Sequence, residues 1–150
     1  DAEKKAVGLV WEDDPAPYDS RFYWDAKTPK AIDDVKQVDE KGDPILDKDG
    51  NQLVARGLKT TWKNETKKIA GNLLQDTDWY VVRKSETNAA IPSAVTTYRA
   101  AVRTKSGTIE TAIDNAADHA AFLALFEPPK DSKGNITGNA PINDWPDPLD

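Results

Sequence analysis

The stretch LLQDTDWYVVRKSETNAAIPSAVTTYRAAVR, residues 73–103, decides the fold because it joins elements of different type. It leaves a helical pattern, turns at a Thr-Asp step and enters the run WYVV at residues 79–82. Aromatic and β-branched residues in such a run are typical of a strand, so we predict one there. A polar loop follows, and Pro92 favours the start of another helix, since proline is accepted in the first helical turn. We therefore expect a helix-strand-helix core.

The clearest helical pattern lies just before this stretch, at residues 57–74. Four apolar side chains recur at spacings of four, seven and four, which places them on one helical face: Leu58, Trp62, Ile69 and Leu73. Lysines occupy the remaining faces. We expect this helix, the strand and the second helix to pack through a shared set of side chains: Trp62, Ile69, Leu73, Trp79, Val81, Tyr98 and Val102.

Two turn sequences mark the region before the first helix. DEKGDP at residues 39–44 and DKDGN at residues 47–51 separate short apolar runs. Glycine accepts the positive φ that tight turns need, so these sequences predict a small β-meander or hairpin that projects from the domain. No internal repeat is apparent in the sequence.

The ends of the chain are rich in proline. Residues 7–11 (VGLVW) suit a strand, and RFYW at residues 21–24 predicts either a second strand or an anchoring corner. Residues 106–108 should break the second helix, and Asp118 should cap a short later one that stops at Pro128. The segment after it, residues 130–150, is predicted to be an extended tail.

These elements predict an α+β fold with extended termini, in which a small β-hairpin region precedes the core and short helices follow it. We divide the chain into an extended and β-hairpin region (1–55), a mainly helical core (56–127) and a proline-rich tail (128–150). At 150 residues the three parts should form one domain overall. The chain starts at Asp1, which we interpret as a processed or trimmed end, or as numbering that starts after further residues.

Composition excludes several functions. The net charge of −6 argues against general binding to nucleic acid or to an anionic membrane, which needs a basic surface. The absence of cysteine excludes a disulfide framework, a thiolate nucleophile and a cysteine-ligated metal. No apolar run approaches the roughly 20 residues of a membrane span. We expect no nucleic-acid or membrane partner.

Candidate reactive groups each have a simpler explanation. Residues 47–51 begin like a calcium loop, but glycine stands fourth instead of sixth, and Leu58 replaces the bidentate glutamate. Turn chemistry explains the same residues. His119 is the single histidine, so any Ser-His-Asp arrangement would depend on it, and a surface or capping role is the better interpretation. We expect no catalytic residue, no metal and no cofactor, and thus no enzyme.

Protein contacts are the remaining possibility. Arg99 and Arg103 are one helical turn apart and can meet carboxylates of a partner, or pair inside the domain with Asp76, Asp78 and Glu86. We favour internal pairing. Aromatic and apolar residues in the extended segments are typical of interface anchors. The candidate partner-contact set is therefore Tyr18, Phe22, Trp24, Arg99, Arg103, Ile142, Trp145 and Leu149.

The core stretch also resembles a known family. Leu73-Leu74 and Thr77-Asp78-Trp79, followed by an arginine and a proline-started helix with Tyr98-Arg99 and Val102-Arg103, resemble the pattern LL..TDW…YR..LR. Tailed-phage proteins described as tail assembly chaperones or tail-fibre-associated proteins carry this pattern. PYDSRFYWD at residues 17–25 and GLK at residues 57–59 are similar to tail-region proteins of marine cyanobacterial phages. The resemblance covers roughly residues 58–105.

The resemblance implies a protein of the phage tail, made in the host cytoplasm and located in the virion. It implies a structural adaptor of the tail, baseplate or fibre-attachment region that contacts other tail or fibre proteins, with self-association as a further option. The alternative is a tail-fibre assembly chaperone that leaves before the particle matures. Neither implies enzymatic activity or a cofactor.

Overall fold

A computed structural model describes residues 16–149 of the chain. The described residues fall into two compact units, residues 16–30 and residues 31–149, each of which is described by itself. The second unit has an α+β fold in which a small antiparallel hairpin precedes four helices, as predicted. The division at residues 55 and 127 stays a prediction. In order, the elements are β1 (Val35–Lys36), β2 (Val54–Ala55), α1 (Leu58–Gln75), α2 (Asp78–Thr87), α3 (Ser93–Asn115), α4 (His119–Ala124) and a 3-10 turn (Pro141–Asn143).

The core is an antiparallel pair of long helices, α1 and α3. Lys63 near the start of α1 bonds Asp114 near the end of α3, whereas Leu73 near the end of α1 meets Tyr98 near the start of α3. The predicted α1 agrees with the structure to within one residue at each end. Its fully buried side chains differ from the predicted set, because Trp62, Ile69 and Leu73 are only half-buried. Those that α1 buries most are Leu58, Thr66 and Ala70.

Helix α3 is continuous across residues 106–108, where the sequence predicted a break. The buried face of α3 continues through the predicted break at spacings of three and four residues. It consists of Val95, Arg99, Val102, Ser106, Ile109 and Ile113. The local hydroxyls bond within the helix: Thr108 Oγ1 donates to the Thr104 carbonyl at 3.0 Å. Burial against α1 thus outweighs the local tendency of serine and glycine to end a helix.

Residues 79–82, predicted to be a strand, belong to helix α2. Asp78 lies in the first turn of the helix, where the positive end of the helix dipole stabilises a carboxylate. It ends at Asn88, which takes the left-handed conformation at φ 56° and donates its amide to the Lys84 carbonyl. These end signals outweigh the strand propensity of Val81 and Val82, which depends strongly on context.

The region 35–55 is a triangle of three short chain segments, which we call the β-triangle. Backbone hydrogen bonds join its three central residues in a ring. The amide of Gln37 donates to the carbonyl of Leu53, that of Leu53 to Ile45, and that of Ile45 to Gln37, at 2.8–3.1 Å between nitrogen and oxygen. Strands β1 and β2 close the triangle at its base, with Val35 opposite Ala55. The predicted meander is confirmed as a hairpin structure.

The β-triangle contains an internal repeat that the sequence analysis missed. Residues 37, 45 and 53 are eight apart, and each intervening turn has the form Asp-x-x-Gly-Asp/Asn with glycine at φ 85–88°. Residues 131–135 form a third copy with Gly134 at φ 87°. In all three copies the aspartate side chain accepts the amides two and four residues later. The correct description is thus one hairpin module used three times.

The β-triangle is fixed to the amino end of α1. The carbonyls of Ala31 and Ile32 accept the first two amides of α1 at 2.9 Å, and the Asp34 carboxylate accepts the Gly57 amide at 2.8 Å. The first backbone amides of α1 have no acceptor within the helix, and these contacts supply one. Gly57 allows this approach, since a Cβ there would lie 2.4 Å from the backbone of Asp33.

The chain after α3 returns to the core. Asp118 caps α4 as predicted, because its Oδ1 accepts the Ala121 amide at 2.8 Å. Phe122 is fully buried and contacts Phe126, which in turn packs edge-on against Trp62 of α1. The segment 130–150 was predicted to be an extended tail, but it forms a turn module and a 3-10 turn whose Ile142 is buried and donates to Leu125.

The described part of the first unit, residues 16–30, forms a corner and not a strand at residues 21–24. The amides of Phe22 and Tyr23 both donate to the Asp19 carbonyl, and a single bridge joins Tyr23 to Pro29. Lys30 Nζ lies 4.7 Å above the ring of Trp24. Of the two predicted alternatives, the anchoring corner is therefore correct and the strand is not. The strand predicted at residues 7–11 lies outside the described residues.

Candidate functional site

Arg99 is the internal link between the three longest helices. Its Nη1 donates to the Leu74 carbonyl at 2.9 Å and to Thr77 Oγ1 at 2.6 Å, and it pairs with Asp78 at 2.8 Å. Arg99 belongs to α3, and its side chain is buried. Its guanidinium donates to a free carbonyl at the carboxyl end of α1 and pairs with a carboxylate in the first turn of α2. Internal pairing, the favoured prediction, is confirmed for Arg99. Its proposed role as a partner contact is corrected by this burial.

We expect Arg99→Ala to destabilise the fold by about 2 kcal/mol, because buried hydrogen bonds to a charged group contribute about 1.5–3 kcal/mol. Asp78→Asn is the matched control. The Asp78 side chain is 59% exposed, so its loss should cost under about 1 kcal/mol. Chemical denaturation of both variants measures the two effects, and equal losses would contradict the assignment of Arg99 as the central link.

The first candidate surface is the outside of helix α2. This helix has no fully buried residue, and three large apolar side chains remain about half exposed: Trp79, Val81 and Val82. Arg83 lies over two aromatic rings, with its guanidinium carbon 4.7 Å from the centre of Trp79 and 5.4 Å from that of Tyr80. We call Trp79, Val82 and Arg83, which share one face of the helix, the α2 surface. Helix α2 thus presents an aromatic-arginine cluster on a helix held mainly by Arg99.

The second candidate surface is the β-triangle. Six of its aliphatic side chains are exposed by 37–55%: Val35, Val38, Ile45, Leu46, Leu53 and Val54. Alternate side chains of a strand point to opposite faces, so exposure of consecutive residues such as Leu53 and Val54 leaves both faces of the triangle uncovered. Nine of the thirteen exposed large hydrophobic residues in the described chain lie on helix α2 or on the β-triangle. Such concentration is typical of interaction sites, whereas scattered single residues need no explanation.

Hydrogen bonds to the turn carboxylates set the electrostatics of the β-triangle. The Asn51 amide lowers the pKa of Asp47 below its ordinary 3.8, and the Asn135 side chain does the same for Asp131. The Gly57 amide lowers the pKa of Asp34, which joins the triangle to α1. These interactions favour the ionised carboxylates, so they stabilise the folded turns above the pKa of the unfolded chain.

We expect the second turn of the β-triangle to keep its structure at neutral pH and to loosen only below about pH 4. A folded pKa below 3.8 means that the stabilisation is present above the unfolded value and is lost as the pH falls through the folded value. The NMR amide shift of Asn51, which donates to Asp47, measures this step. Asp47→Asn keeps an acceptor but cannot ionise, so the Asn51 amide of this variant should lose the step. A midpoint above pH 5 in the wild type would contradict the expectation.

The predicted partner-contact residues have different surroundings. Tyr18, Trp24 and Leu149 are exposed, whereas Phe22 and Ile142 are buried, which corrects their proposed role as surface anchors. Trp145 is half-buried, and its indole Nε1 is enclosed without a hydrogen-bond partner among residues 16–149. Arg103 is exposed and forms no ion pair within that range.

The structure also places the groups that were weighed for chemistry. Asp47, Asp49 and Asn51 lie in a hairpin turn whose amides point at Asp47, as turn chemistry predicted. His119 is the first residue of the short helix α4. Within residues 16–149 no group of three potential metal ligands occurs. Two open grooves of about 260 and 630 Å³ flank the Lys105–Asp144 ion pair, and mainly small side chains of α3 line the larger one.

The two candidate surfaces were largely absent from the predicted site. Trp79 and Val81 were assigned to the core because the run WYVV was interpreted as a strand, and the exposed valines of the β-triangle were not considered. A usable signal was present in the sequence: the turn form Asp-x-x-Gly-Asp/Asn recurs after eight residues. Strands this short bury little, so apolar residues between such turns remain open to partners.

The described helices include none that is both long and apolar enough to cross a bilayer. No protein-family model matches the chain, and no curated protein or solved structure matches it.

Proposed function

We propose that this chain is a structural adaptor of a tailed-phage virion, in the tail, baseplate or fibre-attachment region, and that it works by protein-protein contacts. The observation that supports an adaptor is the concentration of exposed apolar side chains on the α2 surface and the β-triangle. Tryptophan and arginine are enriched among the residues that dominate binding energy at interfaces, and Trp79 and Arg83 lie together.

The phage setting rests on the sequence resemblance at residues 73–103. Several of its residues have structural tasks in this fold. Thr77 and Asp78 receive the buried Arg99, and Tyr98 Oη donates to the Leu73 carbonyl at 3.3 Å. The pattern therefore describes a helix-turn-helix joint whose outer face carries Trp79. Such a joint ties the start of α2 to the end of α1 and leaves Trp79 exposed.

Incorporation into particles tests the proposal. Cells that support the phage would express the tagged chain with Val82→Asp, Leu46→Asp or Ile136→Asp. Ile136 is the matched control, because it is 65% exposed beside the third turn module and lies outside both surfaces. We expect at least about a tenfold loss of incorporation for either surface variant, since burial of an unpaired carboxylate costs more than the 1.4 kcal/mol of a tenfold change.

The control variant should enter particles at the wild-type level. Equal incorporation of all three variants would contradict the adaptor proposal, provided that circular dichroism shows each purified variant to be folded.

A further inference from the structure

Helix α2 receives little support from the rest of the fold. Eight of its ten residues are exposed, and the other two, Tyr80 and Arg83, are only half-buried. Among residues 16–149, the pair between Asp78 and Arg99 is the one side-chain ion pair or hydrogen bond that joins α2 to another helix. Helices in proteins are stabilised mostly by burial of one face against their neighbours, and α2 buries no residue.

The sequence of α2 does not compensate for this exposure. Seven of its ten residues are weak helix formers: Asp78, Trp79, Tyr80, Val81, Val82, Ser85 and Thr87. Helices shorter than about 12–15 residues are marginal in water even when they consist of strong helix formers. Local support comes from Asp78 in the first turn, from the left-handed cap at Asn88 and from Arg83 above the ring of Trp79. These terms are small, so α2 lies close to the balance between helix and coil.

We propose that α2 is a conditional helix, which opens and closes locally while α1 and α3 stay folded. The Arg99 guanidinium also donates to the Leu74 carbonyl and to Thr77 Oγ1, and both of these acceptors precede α2. Opening of α2 therefore breaks only the contact of Arg99 with Asp78, whose side chain is 59% exposed. Arg99 thus keeps its place in the core, where Asp78 meets it each time the helix forms.

A conditional helix regulates the α2 surface. Trp79, Val82 and Arg83 share one face only while the helix is formed, so a contact through this face weakens as the formed fraction falls. A partner that binds the face in turn shifts α2 toward the formed state. This regulation rests on the proposed adaptor role of the surface, whereas the local opening does not.

Hydrogen exchange of the purified full chain, followed by NMR at increasing low concentrations of denaturant, tests the proposal. The amides of residues 82–87 have acceptors one turn earlier within α2. They should be protected at least about a hundredfold less than the amides at the centres of α1 and α3. Their exchange should depend little on denaturant, because local opening exposes little new surface. A smaller difference in protection, or equal denaturant dependence in the three helices, would overturn the proposal.

A matched pair of double variants changes the balance at two positions outside the α2 surface. Val81 and Ser85 are both exposed and lie one turn apart. Val81→Ala with Ser85→Ala should raise the protection of residues 82–87 severalfold, and Val81→Gly with Ser85→Gly should lower it, because alanine favours a helix and glycine disfavours it. If the glycine variant does not fold, the alanine variant is compared with the wild type. Unchanged protection in the folded variants would show that helix formation does not limit exchange, which overturns the proposal.

Exchange in the isolated chain separates this proposal from the adaptor role. Weak protection of α2 in a chain that is absent from phage particles would support the conditional helix and contradict the adaptor. Strong protection of α2 in a chain that enters particles would overturn the conditional helix alone.

Discussion

Phe122→Ala should lower the free energy of unfolding by about 3–5 kcal/mol, the largest effect of a single truncation in this fold. The Phe122 ring is completely buried, and it links α4 to α1 through a chain of aromatic contacts. Its centre lies 5.5 Å from that of Phe126, which lies 4.5 Å from Trp62. Truncation leaves a cavity and removes the contact that holds α4 and the following segment on the helix pair.

Chemical denaturation of the full chain measures this effect, with Leu123→Ala as the control. Leu123 is adjacent in sequence but only half-buried, so its truncation should cost clearly less than that of Phe122. A Phe122→Ala chain that unfolds at the wild-type denaturant concentration would show that α4 does not belong to the core.

Gly57→Ala and Gly71→Ala should change stability in opposite directions. A Cβ at position 57 would lie 2.4 Å from the backbone of Asp33, and backbone cannot rotate away as a side chain can. We expect a loss of about 3 kcal/mol, at the upper end of the usual cost of overpacking. Gly71 lies inside α1 with no atom within 4 Å of its added Cβ, so alanine there should stabilise the helix by roughly 0.5–1 kcal/mol.

Thermal unfolding of the two variants gives the comparison directly. The same pair also tests how the β-triangle is attached, because the clash at residue 57 lies between the triangle and the start of α1. A Gly57→Ala chain as stable as Gly71→Ala would contradict the close approach of residues 32–34 to that helix.

Elements with a strong periodic pattern were predictable from the sequence. The four spaced apolar side chains of α1 predicted its ends to within one residue, and the two glycine turns predicted the hairpin. The strand predicted at residues 79–82 was wrong because residue preference there competes with the first-turn carboxylate of Asp78, with the left-handed cap at Asn88 and with the Arg99 contact from a distant helix. Such a contact has no local sequence pattern.

The candidate surfaces were harder to predict than the fold. Burial depends on which elements meet, so Phe22 and Ile142 were assigned to a surface although they are buried, and Trp79 was assigned to the core although it is half-exposed. The eight-residue turn repeat was visible in the sequence, but it is a weak signal because aspartate, asparagine and glycine are common in turns of every kind. Arg99 was the exception, since its internal pairing was the favoured interpretation and is confirmed.

Quantitative mass spectrometry of purified phage particles tests the adaptor role most directly. Peptides of this chain would be measured against those of a tail protein of known copy number, in particles and in lysates of infected cells. The adaptor proposal predicts a fixed, stoichiometric copy number in mature particles. Abundant chain in the lysate together with its absence from the particles would contradict the proposal and would instead indicate the assembly chaperone.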